Sequence, residues 1–256
     1  MKSLFLSLLH GKTGFMSRYS TARDSASRLH SIIPSDEEDV REGTRPMIPV
    51  HFAFPGHLIR FVACHWTAFN NSSSRVTRER LADVLRRNCY KFLTTDIPKS
   101  GLTRHLAILG DFNEEPTAPV FRERLIGCRD RQSSRHTHSG DKDVRRIRLY
   151  NAAWRYLGEQ IPHGASGHDV GLAGTLYNDS EDADTKGWRT FDHLLVSAGL
   201  LGEKPPYLDE AKTGIVSTPT MRNTADLPMP FEPSNQRGVS DHLPIIGRLV
   251  LRKAAT

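Results

Sequence analysis

Apolar residues in this chain come in short runs, and their period shifts between strand-like and helical. Met47 to Phe54 and Leu58 to Cys64 are two apolar, β-branched runs separated by Pro55-Gly56. That pattern predicts a hairpin whose second strand ends at His65-Trp66. Ser72-Ser73-Ser74 offers hydroxyls for a helix start. Leu81, Val84, Leu85, Cys89 and Phe92 then share one helical face, with arginine and glutamate between them. Leu106 to Leu109 is a short buried strand followed directly by Gly110-Asp111. Pro116 to Leu125 predicts a short helix, and Phe191 to Val196 and Ile245 to Leu251 are further strands. Gly14 to Tyr19 reads as a strand running into a turn. Residues 20–45 read as a polar surface loop, 129–148 as a basic loop, and 201–236 as a long, ordered, proline-rich loop. Strands alternating with helical segments, with polar motifs at strand ends, give a layered α/β domain.

Composition narrows this only a little. At 256 residues the chain has room for one large α/β domain or two small ones. A hydrophobic fraction of 38% and a mean hydropathy of -0.46 describe a soluble protein, and no run approaches the ~20 apolar residues of a membrane span. Met1 to Leu9 is apolar with one lysine, but His10-Gly11-Lys12 follows where a secretory signal would carry small residues. It reads better as a strand or helix of a larger core. The 3 cysteines, Cys64, Cys89 and Cys128, suggest no disulfide framework, which favours a reducing compartment such as the cytoplasm. The net charge of +6 suits polyanionic partners such as nucleic acid or phospholipid head groups. An ordinary basic surface would carry the same charge.

Two segments carry the candidate chemistry. Gly110-Asp111-Phe112-Asn113 follows a buried strand, and in an extended segment residues two apart project to the same side. The Asp111 carboxylate can bind Mg²⁺ directly or through water, and the Asn113 amide can donate to phosphate and accept from an attacking water. A simple turn would use the same residue types. Ser240-Asp241-His242-Leu243-Pro244 precedes the last strand. It is either a capped turn or a pair in which Asp241 holds metal or water and His242 acts as base or binds phosphoryl oxygens. Asp192, at the head of an apolar strand, needs a partner if buried and is the candidate carboxylate for orienting His242. His65 closes its strand as a rim residue or a catalyst.

Taken in order, these pieces resemble the endonuclease/exonuclease/phosphatase superfamily, which includes deoxyribonuclease I, apurinic endonucleases, neutral sphingomyelinases and inositol-polyphosphate 5-phosphatases. The resemblance rests on His65, Gly110 to Asn113, Asp192 before His193-Leu194-Leu195-Val196, and Ser240 to Pro244, with Gly14 to Tyr19 like the Ser-Arg-Tyr strand of many members. It covers roughly residues 14 to 252. It implies a four-layer α/β sandwich with the active site at one edge, and an Mg²⁺-dependent phosphoester hydrolase, with Mn²⁺ as a substitute metal. The implied roles are water and phosphate for Asp111 and Asn113, metal for Asp241 and Asp111, and the phosphoryl group for His242, polarised by Asp192. His65 would contact the scissile phosphate and help protonate the leaving group.

The resemblance also implies an early strand of Trp-Asn-Val type and another ending in Gln-Glu, whose Glu is a principal Mg²⁺ ligand. Neither precedes Gly14, and Asp24 and Asp36 to Asp39 come too late to match. The expectation is an N-terminally incomplete domain, short by roughly fifty residues or more, arising as a fragment, a wrongly assigned start or a decayed paralogue. Residues 1–13 would then be a remnant, 14–252 the domain and 253–256 a tail. Weak Mg²⁺ binding and low activity are expected of the chain alone.

The expected activity is of phosphodiesterase or nuclease type, on DNA, RNA, a phospholipid or a small phosphoester, and the fold alone does not choose among these. Arg129, Arg131, Arg135, Lys142, Arg145, Arg146 and Arg148 would track a nucleic-acid backbone or simply lie in solvent. Trp66 and Trp188 lie beside the motifs. Both are candidates for stacking on a base, Trp188 as a substrate-binding residue, and core packing is the default for both. The alternative reading is a non-catalytic nucleic-acid- or phosphate-binding remnant of the same fold. A zinc site from Cys128, His136 and His138 matches no standard spacing. Neither endo versus exo mode nor oligomeric state follows from the sequence.

Overall fold

The hairpin has the register its turn dictates. In the computed structural model, β1 (Lys2–Leu9), β2 (Met16–Thr21) and β3 (Leu29–His30) lead to β4 (Ile48–Phe54) and β5 (His57–His65). The structure describes residues 2–9, 16–21, 29–30, 47–68, 72–94, 101–136, 147–157, 173–182 and 186–252, the first three stretches by backbone alone. β4 and β5 pair antiparallel from Ile48↔Ala63 to Phe54↔His57. Pro55-Gly56 makes the turn, with Gly56 at φ 80, the positive angle that a type II turn needs after proline.

From β5 the chain crosses to a parallel neighbour. Helix α1 (Ser72–Thr94) is the crossover and β6 (Thr103–Asp111) the partner, in register from His57↔Thr103 to His65↔Asp111. Then come β7 (Gly127–Cys128), α2 (Arg131–Arg135), β8 (Leu149–Asn151), β9 (Leu176–Asn178), β10 (Gly187–Arg189) and β11 (Asp192–Ser197). β11 lies antiparallel to β6, with Asp192 opposite Asp111. The 7-stranded sheet has the order β3-β4-β5-β6-β11-β8-β7. β12 (Tyr207–Leu208), β13 (Gly214–Ile215) and β14 (Ile245–Arg252) build a second, 5-stranded sheet with β1 and β2, in which β1 lies between β14 and β2.

Side-chain alternation makes the layers. Leu106 and Ile108 of β6, Val62 and Cys64 of β5 and Leu195 of β11 face α1, where Leu81, Val84, Leu85, Cys89 and Phe92 meet them. Ala107, Leu109, Ile59, Phe61, Leu194 and Val196 face the other way and pack on Leu208, Ile215, Ile245 and Leu249 of the second sheet. The described residues thus form an α/β stack of helix, sheet and sheet.

Some expectations change in detail. The segment Pro116 to Leu125 is helical only over Val120–Leu125, as a π-helical turn. It closes at Ile126, whose N–H reaches back to the Phe121 carbonyl, one residue wider than an α turn. Residues 201–236 hold short structure, because β12 and β13 both hydrogen-bond β14. Lys2–Leu9 is a full sheet strand. Of the loop at 20–45, Leu29–His30 pairs with β4, and residues 22–28 and 31–45 lie outside the described residues. Ser72 begins α1, and the Ser74 hydroxyl accepts from Arg78. No helix among the described residues is long and apolar enough to cross a membrane.

Two histidines are buried as neutral rings. His105 is 2% exposed and His193 0%. Burial pushes both down to about 4, helped for His105 by the nearby His57 ring. As pH falls below the ordinary 6.5, the unfolded chain takes up protons that the folded chain refuses. Folding stability is therefore expected to drop from pH 6.5 down to about 4. Urea midpoints measured across this window should fall with pH, and less steeply in His105→Gln. An unchanged slope in that variant would show that the ring is not responsible.

Candidate active site

Register brings His65, Asp111 and Asp192 to one level. His65 ends β5 beside Asp111 at the end of β6, and Asp192 starts β11 opposite Asp111. Neighbouring strands place such aligned residues on the same face. Gly110 lets β6 lie this close, since a Cβ there would strike the Cys64 carbonyl, and its φ of 153 is one that side chains rarely adopt.

Asp111 is 2% exposed. Its Oδ1 accepts from the Asn113 backbone N–H at 2.8 Å. Its Oδ2 lies 3.5 Å from His65 Nε2 and 4.0 Å from His242 Nε2. Asp111 and Asn113 are therefore joined by a turn, with Asn113 at φ 49. The extended geometry expected from the sequence stops at Asp111, because a short carboxylate capturing the amide two residues on favours a left-handed bend. The Asn113 side-chain amide donates to the Trp66 carbonyl at 3.0 Å, which spends one of its two N–H groups on holding the β5 exit.

His242 arrives from the segment before β14. Ser240 Oγ accepts its backbone N–H at 3.1 Å, and Leu243 N–H donates to the Thr175 carbonyl at 2.6 Å. Thr175 also receives the backbone N–H groups of Phe191 and Asp192 on its hydroxyl, each at 3.2 Å. This fully buried threonine thus sets the Asp192 backbone against the His242 segment, and no sequence signal marks it. The result is a 2.7 Å hydrogen bond from His242 Nδ1 to Asp192 Oδ2, with side chains 9% and 4% exposed. Burial alone would lower the His242 pKa. Asp192 outweighs it by charge and hydrogen bond, with Asp111 and Asp241 adding to the pull, and the ring is raised to about 9. His242 is an imidazolium at neutral pH, with Nε2–H turned to the Asp111 side.

His193, next along β11, plays a different part. Its Nε2–H donates to the Thr190 carbonyl at 2.9 Å and its Nδ1 accepts from Asn151 Nδ2 at 3.1 Å. It stacks on Phe121 with centroids 4.4 Å apart. It braces the strand behind Asp192 as a neutral ring.

Trp188 lies edge-on to Tyr177, centroids 5.6 Å apart, and packs against the inter-sheet core. Trp66 is 1% exposed and packs on Phe112 and Phe121. Asp241 is exposed. Cys128 Sγ lies 3.5 Å from the Asp130 carbonyl, His136 lies beside Gln132, and His138 lies outside the described residues, as do residues 137–146 of the basic segment.

Among the described residues no group of three or more His, Cys, Asp or Glu side chains is arranged to hold a metal ion. Asp111 has one oxygen on a backbone N–H and the other toward two imidazoles. Asp241 is the exposed carboxylate beside them. That donor set is of the hard-oxygen type Mg²⁺ takes, and it fits attachment through one carboxylate, with water and substrate oxygens completing the shell.

Sequence reasoning missed Arg78, Glu114, Glu115 and Thr175. Glu115 Oε2 accepts the Thr190 N–H at 3.2 Å, and burial raises its pKa.

Replacing Asp192 by Asn removes the charge that holds the His242 proton. The His242 pKa, about 9 in the parent, is expected to fall to 6.5 or below, read by NMR titration of the imidazole. An unchanged value would show that Asp192 is not the source of the shift.

The sequence matches no family model and no curated protein. Solved structures do resemble it. Truncated TDP2 from Caenorhabditis elegans is 11% identical at a TM-score of 0.45, over 96% of this chain and 76% of that one. Beta toxin from Staphylococcus aureus is 13% identical at a TM-score of 0.42, over 78% of this chain and 56% of that one. An endonuclease/exonuclease/phosphatase family protein from Bacteroides thetaiotaomicron is 15% identical at a TM-score of 0.41, over 80% of this chain and 56% of that one. The chain thus spans little more than half the length of the latter two.

Proposed function

We propose that this chain is a phosphoester hydrolase of the endonuclease/exonuclease/phosphatase kind, acting on phosphodiesters by water attack on phosphorus. The observation that carries the reading is the buried line Asp192–His242–Asp111–His65, linked at 2.7, 4.0 and 3.5 Å. A carboxylate flanked by two imidazoles suits in-line displacement, where the site must accept one proton and supply another.

In this mechanism Asp111 Oδ2 accepts a hydrogen bond from the water. The water oxygen forms the new bond to phosphorus, the ester P–O bond breaks, and the water proton passes to the carboxylate. His242, held charged by Asp192, presents Nε2–H to a phosphoryl oxygen as negative charge builds there. His65, on the other side of Asp111, serves the leaving oxygen and gives it a proton. Asn113 offers its remaining amide hydrogen to the phosphate. When bound, Mg²⁺, or Mn²⁺ in its place, would be held by Asp241 and neutralise phosphate charge. Because among the described residues that attachment would rest on a single exposed carboxylate, weak affinity and slow turnover are expected. The net charge of +6 favours polyanionic substrates, nucleic acid among them.

The test is hydrolysis of bis(p-nitrophenyl) phosphate. Slow, Mg²⁺-dependent release of nitrophenol is expected, stopped by a chelator. His242→Ala should lower it about 10²- to 10⁴-fold, and Asp241→Asn should raise the Mg²⁺ concentration required. Hydrolysis that ignores both substitutions would sink the proposal. Salt-sensitive binding of DNA without cleavage of either substrate would assign the site to binding alone.

A further inference from the structure

Arg78 is 1% exposed, and the hydrolytic scheme has no use for it. It lies in α1 and reaches Glu114, the residue after Asn113. Its Nε donates to Glu114 Oε1 at 2.7 Å. Its Nη1 donates to the carbonyls of Thr67 and Ala68, each at 3.2 Å, and to Ser74 Oγ at 3.1 Å. One guanidinium thereby joins the helix, the chain just after His65-Trp66, and the chain just after Asn113. A buried cation is costly unless its partners are fixed around it, and the planar donor fork fixes them in direction as well as distance. The neighbouring Glu115 extends the hold, since its carboxylate takes the Thr190 N–H two residues before Asp192.

We infer that Arg78 is a positioning residue for the site: through Glu114 and the Thr67 and Ala68 carbonyls it holds the Asp111–Asn113 turn against the end of β5. The inference rests on the hydrolase reading for its catalytic consequence, but its structural consequence can be read separately. Without the clamp, the turn that sets Asp111 Oδ2 between two imidazoles is free to shift, and displacements of about 1 Å cost roughly 100-fold in rate.

The experiment compares Arg78→Lys, Arg78→Met and Glu114→Gln with the parent chain. Amide hydrogen exchange is followed at Asn113 and Trp66, whose N–H groups bond Asp111, and at Ile108 and Leu194 in the core. Exchange is expected to speed up about tenfold or more at the first pair and to stay unchanged at the second. With bis(p-nitrophenyl) phosphate, kcat should fall about 10- to 100-fold while KM stays within about threefold. Arg78→Lys should retain more kcat than Arg78→Met. Equal acceleration of exchange in the core would make Arg78 a general stabiliser and overturn the inference. So would a kcat within about twofold of the parent in all three variants. If the parent chain hydrolyses nothing, the hydrolase reading fails, and the exchange pattern alone decides whether Arg78 orders the turn. Should Arg78→Met not fold, Arg78→Lys and Glu114→Gln carry the same comparison.

Discussion

The hydrogen bond between Asp192 and His242 is the constraint around which the site is arranged. Asp192 is 3% exposed at the head of a strand whose other residues are all buried. A carboxylate in that position needs a fixed partner. The partner comes from the segment leading into β14, a strand of the other sheet. Chemistry and packing are therefore joined: the imidazole reaches the carboxylate only when the second sheet has docked over Leu194 and Val196. Gly247 makes part of that fit, because a Cβ there would approach a Leu194 methyl at 2.6 Å.

Around that bond the charges are unevenly matched. Asp192 and Asp111 are both buried, and one imidazolium lies between them. The arrangement favours the charged form of His242 strongly enough to overcome its own burial. His193, one residue from Asp192, shows the opposite outcome. Burial pushes it down to about 4, against the opposing pull of the Thr190 carbonyl and of Asp192. The two histidines differ because His242 hydrogen-bonds a carboxylate, whereas His193 is fully buried and hydrogen-bonds an amide and a carbonyl. The first keeps a charged ring between two carboxylates, and the second braces its strand through hydrogen bonds to Asn151 and Thr190.

Side chains outside the line Asp192–His242–Asp111–His65 hold parts of the backbone around it. Thr175 ties the start of β11 to the His242 segment, and Arg78 with Glu114 ties the Asn113 turn to the β5 exit. Asp241, by contrast, is exposed.

Much was legible in the sequence because it depends on local chemistry. Pro55-Gly56 fixed a hairpin through the φ angles those residues prefer, and the period of Leu81, Val84, Leu85, Cys89 and Phe92 marked the buried face of α1. Asp192 advertised itself as a polar group in an apolar strand, and its pairing with His242 followed from the need to compensate it. Other features had no local signature. The turn at Asn113 depends on a hydrogen bond to Asp111 that competes with extension, and the π-helical turn at Val120–Leu125 depends on how Phe121 and Leu125 pack. Trp188 was open between base stacking and the default of core packing, and the structure packs it against the inter-sheet core. Thr175 and Arg78 look like any threonine and any arginine along the chain. Sequence alone placed the carboxylate and imidazole side chains of His65, Asp111 and Asp192 at the ends of strands. Only the tertiary structure decided which of them share a proton, because distances between residues far apart in the chain are set by sheet register and by the docking of one sheet on the other.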